Sequence, residues 1–183
     1  MKKLLLLGLA LLFVSSAVSA QQFALYNDEA RTTFSVMDVE MMDLVRVYLF
    51  CNPPAEGLQC IELGILVEGE GSFNPFQPTY HADVAQPVLA AGFPTGDTGG
   101  CWNSCYSEDW VYFCYADLFM MSNLAVKISI VPFQGPPVQA FPKMLTCPGD
   151  EIEGFVLNNF CINSNCQISV EESSWGAIKN LYE

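Results

Sequence analysis

Leu44-Val45-Arg46-Val47-Tyr48-Leu49-Phe50-Cys51 and, beyond Asn52-Pro53-Pro54-Ala55-Glu56-Gly57, Ile61-Glu62-Leu63-Gly64-Ile65-Leu66-Val67-Glu68 form the stretch on which the fold turns. Successive side chains of a strand point to opposite faces. In the first run that puts Val45, Val47, Leu49 and Cys51 on one side, and Leu44, Arg46, Tyr48 and Phe50 on the other. In the second, Ile61, Leu63, Ile65 and Val67 line a core face opposite Glu62, Gly64, Leu66 and Glu68. The segment between them is turn chemistry, because proline lacks a ladder donor and glycine accepts turn dihedrals. The pattern predicts two strands joined as a hairpin.

Outward from this pair, candidate strands lie at residues 32–37, 84–91, 110–120, 126–131, 138–144, 154–160 and 167–170. Turn clusters such as Phe93-Pro94-Thr95-Gly96-Asp97 and Gln134-Gly135-Pro136-Pro137 separate them, and few windows repeat apolar residues at helical spacing. Short strands divided by turns predict an all-β fold, an antiparallel two-sheet sandwich, rather than strands alternating with helices. No repeat or linker divides residues 21–170, which read as one domain with long loops over 69–100. Alternation in 110–120 predicts Val111, Phe113 and Tyr115 on one side.

The two ends differ from this body. Lys2 and Lys3, an unbroken apolar run over residues 4–14, and Val18-Ser19-Ala20 make a cleavable export signal over residues 1–20. Its apolar run is short for a membrane span, and no cysteine precedes Cys51, so neither a membrane nor a lipid anchor is expected. Loss of Lys2 and Lys3 leaves five basic against twenty acidic residues, a net charge of −15. Nucleic acid and anionic membranes repel such a chain. Residues 171–183 form a tail in which Ser173-Ser174 can cap a short amphipathic helix presenting Trp175, Ile178, Leu181 and Tyr182. These four are the candidate partner-contact residues of the tail.

Eight cysteines, an even number, follow the signal, and an oxidising compartment makes disulfides the expectation. Local spacing suggests Cys51 with Cys60, across the Pro-containing turn, and Cys161 with Cys166. Cys101, Cys105, Cys114 and Cys147 are expected to be bridged too, in pairings that spacing does not choose. Zinc is the competing reading, but the spacings Cys101-x3-Cys105 and Cys161-x4-Cys166 are not those of zinc ribbons, and His81 is the sole histidine.

The hairpin region, Val-Arg-Val-Tyr-Leu-Phe, a loop and Leu-Gln-Cys-Ile-Glu-Leu-Gly-Ile, resembles the opening of cohesin-like and immunoglobulin-like sandwiches. That resemblance implies a two-sheet scaffold used for protein–protein contact. The end Glu171-Glu172-Ser173-Ser174-Trp175-Gly176-Ala177-Ile178-Lys179-Asn180-Leu181-Tyr182 resembles the tail of small secreted bacterial proteins of unknown function. Those tails usually finish on a basic residue, whereas this sequence finishes on Glu183.

No constellation points to catalysis. Gly96-Asp97-Thr98-Gly99-Gly100 has the look of a serine-protease nucleophile segment, but His81 is misplaced for a triad, and the segment reads as a glycine-rich turn. Carboxylates such as Glu62, Glu68, Glu70, Glu108, Asp109 and Asp117 are numerous without being paired by any pattern. Calcium could use Glu68-Gly69-Glu70, Glu108-Asp109 or Asp150-Glu151 with Glu153, though none follows a calcium-loop motif. Trp102, Tyr106, Trp110, Tyr112, Phe113 and Tyr115 read first as core and disulfide packing and second as a stacking surface. The chain therefore reads as a secreted, non-catalytic structural or protein-interaction module with no cofactor, whose partner is another extracellular or envelope protein. The alternative is a carbohydrate- or calcium-binding module, and the third reading is an extracellular hydrolase.

Overall fold

The computed structural model describes residues 21–107 and 109–166. Its strands are β1 (Gln22–Tyr26), β2 (Ser35–Val36), β3 (Leu44–Asn52), β4 (Leu58–Gly69), β5 (Phe73–Pro75), β6 (Thr79–Tyr80), β7 (Ala90–Ala91), β8 (Thr98–Tyr106), β9 (Val111–Met120), β10 (Val126–Val131), β11 (Lys143–Thr146), β12 (Glu151–Glu153), β13 (Phe155–Val156) and β14 (Phe160–Ile162). No helix occurs among the described residues. The tail helix expected over 171–183 and the export signal lie outside them, as does the whole of the candidate strand 167–170.

One sheet has the order β13-β1-β3-β9-β5, with β6 also on β9. The other is built on β4, which takes β8 and β11 beside its first half and β10 beside its second. β12 extends from β11, β7 from β8, and β14 then β2 from β10. Most pairs are antiparallel, while β1–β13 and β14–β2 are short parallel pairs. Val45, Val47 and Leu49 from one sheet meet Ile61, Leu63 and Ile65 from the other in a single core, with Phe23, Phe113 and Phe160 fully buried. Each such side chain taken out of water contributes roughly 1.5–3 kcal/mol before ordering entropy offsets it.

β3 and β4 face inward as their alternation predicts, but they are not a hairpin. β3 pairs with β1 and β9, and β4 pairs with β8, β10 and β11, so Asn52-Pro53-Pro54-Ala55-Glu56-Gly57 crosses from one sheet to the other. Both runs have a fully apolar inner face, and placing them in opposite sheets buries those faces against each other. This crossing also corrects the expected Cys51–Cys60 bridge. Cys51 has inward parity on β3 and is buried in the core, whereas Cys60 has the parity of Glu62 on β4 and stands directly opposite Cys101 of β8. Cys60 is bonded to Cys101, Cys105 to Cys147 and Cys161 to Cys166. Cys51 and Cys114 are free and buried, which corrects the expectation that all eight cysteines are bridged.

Three features escaped the pattern. β8 begins in the segment read as a glycine-rich turn, and its glycines instead permit close packing. A Cβ on Gly99 would lie 2.9 Å from the carbonyl oxygen of Ile61, and one on Gly100 would lie 3.0 Å from the Phe113 ring. In β9, Leu49 pairs with Cys114 but Phe50 with Tyr112, so Phe113 is the extra residue of a β-bulge. The bulge shifts the alternation by one: Phe113 and Cys114 are both buried, and Tyr115 turns to the outer face, not to the side of Val111 and Phe113. β1 was missed for a different reason. Phe23, Ala24 and Leu25 are all buried, so five residues show no alternation.

Candidate interaction surface

The outer face of the first sheet is lined by rings. Tyr48 lies 5.8 Å from Phe50, 5.8 Å from Tyr112 and 5.2 Å from Tyr115 between centroids, and Tyr26 meets Phe50 edge-on. The loop after β1 closes over part of this face. Asp28 accepts backbone N–H bonds from Thr32 and Thr33, which fold the loop back, and the Arg31 guanidinium sits 5.9 Å from the Phe50 centroid and 5.4 Å from that of Trp110. Tyr48 and Phe50 are consequently buried although they point away from the core. Arg46 lies over Tyr115 at 4.3 Å and holds Asp117 through two bonds, Nε to Oδ1 at 2.7 Å and a terminal nitrogen to Oδ2 at 2.9 Å. That hydrogen bonding draws the Asp117 carboxyl below the usual aspartate range against the opposing effect of its partial burial.

Of the remaining rings singled out above, Trp102 and Phe113 are core residues, 5.2 Å apart. Thr98 is fully buried within β8 and so is no exposed nucleophile. His81 packs on Tyr112 at 4.9 Å, and its Nδ1 accepts the Asp83 backbone N–H. Several candidate carboxylates are engaged singly: Glu68 with Lys127, Glu151 with Lys143, and Glu62 with Gln139. Among the described residues no three of His, Cys, Asp and Glu converge in a way that could hold a metal ion. The sulfurs of Cys101, Cys105, Cys161 and Cys166 are taken up in bridges and are not thiolate ligands.

What the chain does concentrate is exposed apolar surface at one end of the sandwich, where β3 begins and β9 finishes. Met41, Met42 and Leu44 are 61%, 68% and 62% exposed, and Met37, Met121 and Leu124 are exposed as well. Backbone bonds lock the two contributing segments together: Met42 N–H donates to Met120 O at 2.8 Å, and Met120 N–H to Asp43 O at 3.0 Å. Asn163 Nδ2 then donates to both Val39 O and Asn123 O, tying in the end of β14. Val36, Met37, Asp38, Val39, Asp43, Leu44 and neighbours line an open groove of about 300 Å3. Met42 has φ 77° and Asp38 φ 59°, left-handed values that cost a side chain energy and that the surrounding bonds enforce.

Of the exposed apolar residues at this end, only Leu44 was singled out from sequence, and then only as an outward position. The signal was present in Met37-Asp38-Val39-Glu40-Met41-Met42-Asp43, where apolar and acidic residues mix without strand or helix period. Of the candidate residues named above, the structure brings Cys60 to Cys101, Cys105 to Cys147 and Cys161 to Cys166. It does not bring Cys51 to Cys60, and Trp175, Ile178, Leu181 and Tyr182 lie outside the described residues.

Two sheets packed face to face, crossed by the β3–β4 connection and closed by short edge strands, define a cohesin-like β-sandwich. Among solved structures, the chain is similar to the second type II cohesin module of the cellulosomal adaptor ScaA scaffoldin of Acetivibrio cellulolyticus. There the TM-score is 0.55 and the identity 9%, covering 81% of this chain and 99% of that one. It is similar to the sixth cohesin of scaffoldin B from the same organism, solved in complex with the Cel5 dockerin, with TM-score 0.53 and 9% identity over 80% and 99% of the two chains. It also matches the seventh ScaB type I cohesin of Pseudobacteroides cellulosolvens, with TM-score 0.53 and 12% identity over 83% and 96%. At these identities the likeness is one of fold. The sequence matches no protein-family model and no curated protein.

Proposed function

We propose that this chain is a secreted, non-catalytic protein-interaction module and that the end formed by residues 36–44 and 120–126 is its contact surface. The observation that carries this reading is the concentration of exposed Met37, Met41, Met42, Leu44, Met121 and Leu124 on one bonded corner. Contiguous apolar surface on a soluble domain marks an interaction site, and methionine adapts its shape to a partner. The cohesin-like fold supports the reading, since one protein of this fold was solved with a dockerin bound. The carbohydrate alternative is less well supported, because Tyr48 and Phe50 are covered and offer no open ring face.

Three bridges agree with an oxidising compartment outside the cytoplasm. Removal of residues 1–20 is part of the proposal, and intact mass of the exported protein should place the first residue at Gln21. Trp175, Ile178, Leu181 and Tyr182 of the tail are proposed as a separate attachment element. Removing residues 173–183 should leave the melting temperature unchanged; a large drop would make the tail part of the packed domain.

The contact surface is tested by affinity capture from the envelope and medium of the native producer, with wild-type protein compared with a Met42→Asn, Met121→Ser variant. The partner identified by mass spectrometry should rebind the purified wild type and lose at least tenfold in affinity for the variant. Equal binding by both would refute this surface.

A further inference from the structure

The end that bears the exposed methionines has charge of one sign only. Residues 36–44, 69–73, 120–126 and 162–166 contain Asp38, Glu40, Asp43 and Glu70 and no lysine, arginine or histidine. All four carboxylate residues are exposed. The cations on the strands leading into this end are already engaged, Arg46 with Asp117 and Lys127 with Glu68. Apolar knobs thus stand inside an acidic rim that no cation among the described residues neutralises.

We infer that the partner presents an amphipathic basic segment, with apolar side chains seated among Met41, Met42, Leu44 and Met121 and flanking Lys or Arg side chains meeting Asp38, Glu40, Asp43 and Glu70. This inference rests on the reading of this end as the contact surface. Two other occupants compete, and charge weighs against both. The chain's own residues 167–183 follow Cys166, which the bridge to Cys161 keeps at this end, but they include Glu171, Glu172 and Glu183 against Lys179 alone. A second copy would set the same four carboxylates against these across a twofold contact, where like charges repel. A basic segment has neither cost, and an apolar helix face laid in a groove is a common mode of recognition. Complementary charge would also speed encounter and fix orientation.

The test is calorimetric titration of the mature full-length protein with a synthetic amphipathic leucine–lysine helix and with its leucine–glutamate counterpart. The basic peptide should bind and the acidic one should not. Net negative charge alone would attract any cationic peptide, so the deciding variant is Met42→Asn with Met121→Ser, which keeps the charge and should weaken binding at least tenfold. Asn also accepts the left-handed backbone at position 42, and an unchanged melting temperature confirms folding. A Glu40→Gln, Asp43→Asn variant should weaken binding and flatten its salt dependence. Undiminished binding by the methionine variant, or equal binding of the acidic peptide, overturns the inference. So does a tenfold gain in affinity on removing residues 167–183, which would make the tail the occupant, or dimerisation in ultracentrifugation that the methionine variant abolishes. If the methionine variant loses the native partner yet keeps the basic peptide, the contact surface stands and the proposed partner chemistry falls; if it keeps both, both readings fall.

Discussion

Cys51 and Cys114 face the same core from neighbouring strands β3 and β9, and neither is bonded to another sulfur. Burial pushes both thiols well above the ordinary cysteine range, and the charge of Cys51 adds to the shift of Cys114. Since the thiolate is the reactive form, iodoacetamide at neutral pH should leave the native protein unmodified. Unfolding without reductant should then expose two alkylatable thiols per chain, read by intact mass. No alkylation after unfolding would show that these two sulfurs are bridged.

Cys60 and Cys101 are 41 residues apart in sequence and opposite each other in space. Closing a loop of that size removes about 4 kcal/mol of denatured-state entropy in the chain-entropy picture. Replacing both, Cys60→Ala with Cys101→Ala, should lower the unfolding free energy by about 2–5 kcal/mol in denaturant titration. A loss under about 1 kcal/mol would mean that the denatured chain already holds β4 and β8 together.

Gly99 is where β8 approaches β4, and the obstacle to a side chain there is a backbone oxygen that cannot rotate away. Gly99→Ala should destabilise the domain by about 1–3 kcal/mol through forced backbone movement. Gly149, where an added Cβ meets nothing within 4 Å, is a useful contrast. Its φ of 97° still strains alanine, so Gly149→Asn should be tolerated better than Gly149→Ala.

Asp117 has a depressed carboxyl pKa through its hydrogen bonds to Arg46. A group whose folded pKa lies below its unfolded value adds stability above the ordinary aspartate value of about 4, lost as pH falls through the depressed one. Both side chains are partly exposed, which limits the effect to about 1 kcal/mol or less. Asp117→Asn should therefore be slightly less stable than wild type at neutral pH, with the gap closing in acid. A gap independent of pH would assign the loss to packing.

Much of the sheet structure was legible because alternation reports which face is buried. Val45 to Cys51 and Ile61 to Val67 could be oriented in advance, and residues 126–131 could be bounded as a strand. Where both faces are covered, as at Phe23-Ala24-Leu25, or where close approach demands glycine, as at Gly99-Gly100, that periodic signal disappears. The bulge at Phe113 hid in the same way, since one inserted residue leaves composition unchanged and reverses every later orientation. The exposed corner was harder still: Met37 to Leu44 and Met121 to Leu124 are far apart in sequence and meet only through the pairing of β3 with β9.

By itself, then, the order of residues determined that this is an acidic, cysteine-bearing chain of short strands with two strongly apolar faces, because side-chain parity along an extended backbone is a local property. Only the tertiary structure decided that those two faces belong to opposite sheets, that Cys60 meets Cys101 while Cys51 stays a thiol, and that scattered methionines share one corner. Each of these depends on which strands become neighbours, and that choice is made by packing across the whole core.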